Sequence, residues 1–329
     1  MGQQYSRHDI HRAAGAIAIA AGVALLSACG GGSSDGSGSG SLTVGVTDAP
    51  VDDAEHVYVQ FSSITLKPSG VDDDEDGDDD NVNDNGNNGD GPPFETITFD
   101  EPRRIDLLDQ QHGNSALLIE DEPVPAGDYD WIRLGVDLGQ GDSVIVIDGG
   151  ENDLRIPSGA QTGLKLVTPF TVANGGTLDL TIDFDLRKSV VETGNGEYIL
   201  KPALRLVRTE ETGEIAVNAS ETYVSNNQCG SEPGKNAVYV FEGDVVPDDV
   251  DGNEPDPITT VLDSDDSDGK FTGTAGFLEP GTYTVTYVCD AEDDDPSADE
   301  DDNGGLTFLD IDDAVEVEAG ETAEYNLPE

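Results

Sequence analysis

The chain predicts an all-β protein, with two tandem β-sandwich domains following a cleaved leader and a Gly/Ser tether. Three observations carry that expectation. Short runs rich in Val, Ile, Thr and Tyr recur along the sequence with turn residues between them. Glycine (40 residues) and proline (17 residues) interrupt the chain too often for long helices. No stretch sustains a helical period, whereas alternation of apolar and polar residues returns repeatedly. The 329 residues leave room for two domains once the leader is set aside.

The leader comes first. Arg7 and Arg12 form a basic start, Ala13 to Leu26 an apolar stretch, and Leu26-Ser27-Ala28-Cys29 closes it. That stretch is too short and too rich in Ala and Gly to span a bilayer comfortably. The segment resembles a bacterial lipoprotein signal peptide over residues 1–28. The resemblance implies cleavage before Cys29, acylation of Cys29, and attachment to a membrane through its acyl chains. Gly30, standing where an Asp is associated with inner-membrane retention, points by the same analogy to the outer membrane of a cell envelope. Residues 29–41 then read as the acylated cysteine and a flexible tether with nothing to bury.

Regular structure is expected from Leu42. Leu42, Val44 and Val46 alternate with polar or small residues, and Val57, Val59 and Phe61 repeat the pattern after a turn at Asp48-Ala49-Pro50. Residues 71–93 are Asp, Asn and Gly almost throughout, a composition that cannot pack, so they read as a disordered acidic insertion between strands at Ile64–Lys67 and Thr96–Phe99. Further strands follow at Tyr129–Val136, Ser143–Ile147, Gly163–Val167, Leu178–Leu186 and Tyr198–Val207. The first domain is thus expected over 42–209. The second, over 214–329, carries strands at Ile215–Ala219, Ala237–Phe241, Tyr283–Cys289, Ala314–Val317 and Thr322–Leu327.

Several motifs in the first half occur in a fixed order. They are Val46-Thr47-Asp48-Ala49-Pro50, Ile105-Asp106-Leu107-Leu108, Pro125-Ala126-Gly127-Asp128-Tyr129, Gly163-Leu164-Lys165-Leu166, Asp183-Phe184-Asp185-Leu186-Arg187-Lys188-Ser189 and Leu200-Lys201-Pro202-Ala203-Leu204-Arg205. Together they resemble the domain of unknown function numbered 4382, found in bacterial lipoproteins. The resemblance covers about residues 42–208 and implies a β-rich exported domain without naming an activity. In the second half, Pro280-Gly281-Thr282-Tyr283-Thr284-Val285 and Val317-Glu318-Ala319-Gly320-Glu321-Thr322 are similar to strands of the carboxypeptidase-regulatory or prealbumin-like sandwich.

Charge narrows the function. Seventy Asp and Glu against 15 Lys and Arg give a formal net charge of -55, which argues against nucleic acid as a partner. Such acidity suits solubility in salt or the binding of calcium. Asp299, Asp301, Asn303 and Asp310 have the hard-oxygen spacing of a calcium loop, and Asp72, Asp74, Asp76 and Asp80 repeat its opening. With Cys29 assigned to lipid, Cys229 and Cys289 remain as an even pair in an exported chain, and a disulfide is the natural assignment. In Leu178–Leu186 one face is apolar and the other carries Asp179, Thr181, Asp183 and Asp185. With Lys165, Lys201 and Arg205, the residues Asp183 and Asp185 form a candidate polar-ligand face, or else a set of cross-strand ion pairs. No residue set matches a known catalytic motif. The expectation is a lipid-anchored, non-enzymatic binding or structural protein, its partner a surface glycan or another envelope protein. A calcium-dependent adhesion module and a carboxylate-based hydrolase are the alternatives.

Overall fold

Alternation shapes the strands from the first described residues onward. The computed structural model describes residues 38–49, 54–71, 94–137, 139–157, 163–230, 235–250, 255–261, 263–265, 270–289, 291–294 and 306–328. The first half contains β1 (Ser39–Ala49), β2 (His56–Pro68), β3 (Glu95–Asp106), β4 (Ala116–Pro125), β5 (Gly127–Val136), β6 (Val144–Ile147), β7 (Gly150–Arg155), β8 (Leu164–Leu166), β9 (Phe170–Val172) and β10 (Thr177–Asp185). A single helical turn, α1 (Leu186–Ser189), leads to β11 (Val190–Glu192), β12 (Tyr198–Leu200) and β13 (Ala203–Arg208).

Two sheets result. One has the order β13-β10-β1-β4. The other runs β11-β12-β7-β6-β2-β5-β8, with β3 also paired to β2 and β9 to β5. Strands β1 and β10 pair in parallel, Val44 opposite Leu180 and Val46 opposite Ile182, so their apolar residues share one face. That face meets Val57, Val59, Phe61, Ile132 and Leu134 of the larger sheet in one core. Phe61 and Phe184 touch edge to face across it, ring centroids 6.1 Å apart. Burying side chains of this size contributes about 1.5–3 kcal/mol each, which fixes the register, since a one-residue slip would turn every one outward.

The second half contains β14 (Gly213–Ser220), the helix α2 (Glu221–Asn226), β15 (Ala237–Glu242), β16 (Ile258–Val261), β17 (Asp263–Asp265), β18 (Lys270–Leu278), β19 (Gly281–Cys289), β20 (Thr307–Val317) and β21 (Thr322–Asn326). Its sheets have the orders β17-β18-β14-β21 and β16-β15-β19-β20. Ile215, Val217 and Phe271 of the first pack on Val238, Val240, Val285 and Tyr287 of the second. The opposite face of β15 is buried as well, because Tyr239 and Phe241 lie under Val250 and Ala291. Cys229 and Cys289 are disulfide-bonded, their Cα atoms 5.0 Å apart. Ser37–Glu329 form one compact unit, so the two sandwiches do not hang on a loose linker.

The structure corrects the sequence reading at the tether. Regular structure begins at Ser39, inside the stretch read as flexible, with Ser39 opposite Pro125 and Gly40 opposite Val124. Gly40 serves close approach: a Cβ there would lie 2.5 Å from Val172 Cγ1 and 2.6 Å from the Ala173 carbonyl. Small residues that look like a linker are thus the ones this strand requires. β4 and β18 were not foreseen either, since β4 carries charges and prolines and β18 places Gly273 and Ala275 where its alternation needs larger apolar residues. Helix α2 is too short to show a period; Ser220 caps it by accepting a bond from the Tyr223 N–H at 3.0 Å. Val71, read as the start of the insertion, is buried, and residues 72–93 lie outside the described ones.

Candidate functional site

The polar face of β10 is largely consumed by the fold. Asp183 stands opposite Arg205 in the β10–β13 ladder and accepts a bond from its Nη2 at 2.6 Å. Burial raises the Asp183 pKa, and the Arg205 guanidinium opposes that rise. Asp185 caps α1 by accepting from the Lys188 N–H at 3.2 Å, and the Lys188 ammonium lies 3.1 Å from the same carboxylate. The structure therefore unites Asp183, Asp185 and Arg205 as cross-strand and capping pairs. Lys165 and Lys201 line a groove that includes none of those three. Lys165 Nζ lies 4.6 Å from the centre of the Trp131 ring, which Arg133 also covers at 4.5 Å.

Asp48 was not singled out from sequence, yet it is the most constrained carboxyl near this face. It is 7% exposed, and neither carboxyl oxygen meets a partner in good hydrogen-bond geometry. Burial, then the charges of Asp183 and Asp185, hold its pKa well above the ordinary 3.8; the Leu186 N–H and Gln111 amide offset a smaller part. Such a group binds its proton more tightly folded than unfolded. Stability is therefore greatest at or below pH 3.8 as far as this group is concerned, and falls as pH rises towards its folded value. Asp48→Asn is expected to raise the melting temperature at neutral pH and to leave it unchanged near pH 3, at roughly 2–4 °C per kcal/mol. Calorimetry at the two pH values checks this; an equal gain at both would show that ionisation is not the cause.

The charged residues that follow β10 reach into the second sandwich. Arg187 is 3% exposed; its Nη1 donates to the Tyr239 hydroxyl at 2.7 Å and its Nη2 to the Ala291 carbonyl at 3.1 Å. The Asp294 carboxylate lies 3.7 Å from the same guanidinium and accepts from the Tyr239 hydroxyl and, at 3.2 Å, from the Val250 N–H. Burial raises the Asp294 pKa, against the pull of Tyr239, Arg187 and Val250. Next in sequence, Lys188 pairs with Asp256 at 2.5 Å. A second contact is backbone on backbone: a Cβ on Gly276 would lie 2.7 Å from Gly113 Cα. Arg187-Lys188 directly after a strand is the sequence signal of this clasp, but its distant partners are invisible in one dimension.

The candidate calcium ligands Asp299, Asp301 and Asn303, and Asp72, Asp74, Asp76 and Asp80, lie outside the described residues, as does Cys29. Asp310 is described. It is exposed, and its carboxylate accepts from the Tyr223 hydroxyl and its carbonyl from the Tyr325 hydroxyl, so it is engaged by two tyrosines of the second sandwich's core. Among the described residues, no group of three or more His, Cys, Asp or Glu is placed to hold a metal ion. His56 pairs with Asp106 at 2.5 Å, and the other Asp106 oxygen accepts from the Val57 N–H at 3.1 Å, which ties the start of β2 to the end of β3.

Residues 39–202 match a family model described as domain of unknown function DUF4382. No curated protein matches the chain. Among solved structures, a leucine-rich repeat protein from Bacteroides thetaiotaomicron is 12% identical over 89% of this chain, which spans only 26% of that protein, at a TM-score of 0.18. A candidate adhesin from Bacteroides ovatus is 10% identical over 93% of this chain and 95% of its own, at 0.20. A candidate cell-adhesion protein from Bacteroides fragilis is 11% identical over 86% and 92%, at 0.21. Scores this low carry no inference about this chain.

Proposed function

The first domain of this chain belongs to the DUF4382 family, and from that premise we propose a lipid-anchored protein of the bacterial cell envelope that acts by binding or as structure, without catalysis. The Leu26-Ser27-Ala28-Cys29 sequence, behind a basic start and an apolar stretch, carries the anchoring. The placement of charge supports the rest. Arg187, Lys188 and Arg205, from a chain with only 15 Lys and Arg, are spent on joining strands and joining sandwiches. A net charge of -55 keeps the module away from anionic headgroups, so attachment falls to the acyl chains.

Three acyl chains, as the lipoprotein resemblance implies, exceed the two signals that stable anchoring usually takes. Cys29→Ala is therefore expected to move the protein from the membrane fraction to the soluble one, or to leave the leader uncleaved. Fractionation and mass measurement of the N-terminus check this. Mature protein that stays on the membrane without Cys29 overturns the lipid assignment.

A further inference from the structure

A cavity of about 580 Å³ opens beside β7 and the start of β12 in the larger sheet of the first sandwich, between the 139–142 turn, the end of β7 and the 193–197 turn. Its volume lies within the roughly 300–1,000 Å³ of small-molecule sites. Asp137, Ser143, Asp153, Arg155, Glu197 and Tyr198 line it, over an apolar floor of Leu154 and Ile156.

Two features mark it as built. Both rim turns are closed by their own hydrogen bonds. Asp142 accepts from the Gly139 N–H at 2.5 Å and donates its own N–H to the Gly139 carbonyl at 3.1 Å. The Thr193 hydroxyl donates to the Glu197 carbonyl at 2.8 Å and accepts from the Glu197 N–H at 3.1 Å. Asp137 is held too, through the Gln60 side-chain amide at 2.9 Å. A preformed wall lowers the ordering cost of binding. Independently, Ser143 is 6% exposed and its hydroxyl has no hydrogen-bond partner. A buried hydroxyl left unpaired costs free energy that nothing in the fold offsets.

The chemistry of the lining selects the ligand. Carboxylates only accept hydrogen bonds, a guanidinium only donates, and a serine does both, so together they suit a molecule dense in hydroxyls. Tyr198 adds an aromatic side chain to the lining, and the Leu154–Ile156 floor suits sugar C–H groups. Three carboxylates against one guanidinium, in a chain of net charge -55, repel an acidic sugar. We propose that this cavity binds a neutral sugar unit of a glycan. The proposal deepens the binding role put forward above, and because anchorage is read separately through Cys29, failure of one leaves the other standing.

The test is ligand-observed saturation-transfer NMR on the full-length chain with D-glucose, D-galactose, D-mannose and N-acetyl-D-glucosamine, and with D-glucuronate as the anionic comparison. The expected result is saturable millimolar binding of at least one neutral sugar and weaker binding of glucuronate. Arg155 is exposed, so Arg155→Ala should keep the wild-type melting temperature while weakening binding about tenfold, as loss of a charge-assisted bond would. Ser143→Ala should leave stability equal or higher and still weaken binding, which a merely structural serine would not do. No saturable binding of any of the four neutral sugars overturns the proposal. So does equal binding of glucuronate, or binding unchanged in both variants.

Discussion

Replacing Cys229 and Cys289 together with alanine is expected to destabilise the second sandwich by about 4 kcal/mol, a fall of roughly 8–16 °C in melting temperature. The two residues are 60 apart in sequence, and in the chain-entropy view a cross-link of that span removes much of the freedom of the unfolded chain. The bond joins the end of α2 to the end of β19. Cys229 is buried with Tyr223, Val224 and Tyr287, and its N–H donates to the Val224 carbonyl at 3.0 Å, so the bridge ties the segment after α2 to β19. Alanine is the informative choice, because serine would add an unpaired hydroxyl to an apolar site. Thermal unfolding with and without reductant checks the attribution: reduced wild type should melt with the double variant. A variant melting within a degree or so of the oxidised wild type would show that the bridge constrains nothing the core does not already fix.

The sequence made the strands legible where burial is one-sided and the side chains are large. Leu42, Val44 and Val46 alternate in the sequence and are fully buried in the structure, and Leu180, Ile182 and Phe184 follow the same rule. It concealed strands whose inward residues are small, as with Gly273 and Ala275 of β18, because glycine and alanine read as turn or linker in isolation. The Ser39–Ser41 segment was misread for the same reason. Alternation places Asp183 and Asp185 on one face, and Lys165, Lys201 and Arg205 lie near enough in sequence to be grouped with them as ligand face or ion pairs. Which cation meets which carboxylate is not legible, because pairing depends on register: Arg205 faces Asp183 only through an antiparallel ladder, and β1 meets β10 only through a parallel one. The cavity at Ser143 and Arg155 is not legible as a site, because it joins the 137–157 stretch to Glu197 and Tyr198, which are distant from it in sequence.

The second large effect is expected at Arg187. Arg187→Ala leaves the Asp294 carboxylate buried at 4% exposure without its cation and removes the donors facing the Tyr239 hydroxyl and the Ala291 carbonyl. Breaking a buried pair on one side typically costs about 3–5 kcal/mol, since the remaining charge is uncompensated. The loss should depend on pH with a definite sign. Asp294 already holds its proton more tightly than an ordinary aspartate, and without the guanidinium it holds it more tightly still. The variant's deficit should therefore shrink as pH falls and the carboxylate of Asp294 is neutralised. Because Arg187 belongs to the first sandwich and Tyr239, Ala291 and Asp294 to the second, its removal should also uncouple them. Calorimetry is expected to resolve two unfolding transitions where the wild type shows one. The double variant Arg187→Met with Asp294→Leu should regain most of the lost stability, because an apolar pair of similar volume leaves no buried charge. Were Arg187→Ala to melt like the wild type in a single transition at every pH, the guanidinium would have no part in holding the two sandwiches together, and the Lys188–Asp256 pair and the Gly113–Gly276 contact would carry the junction.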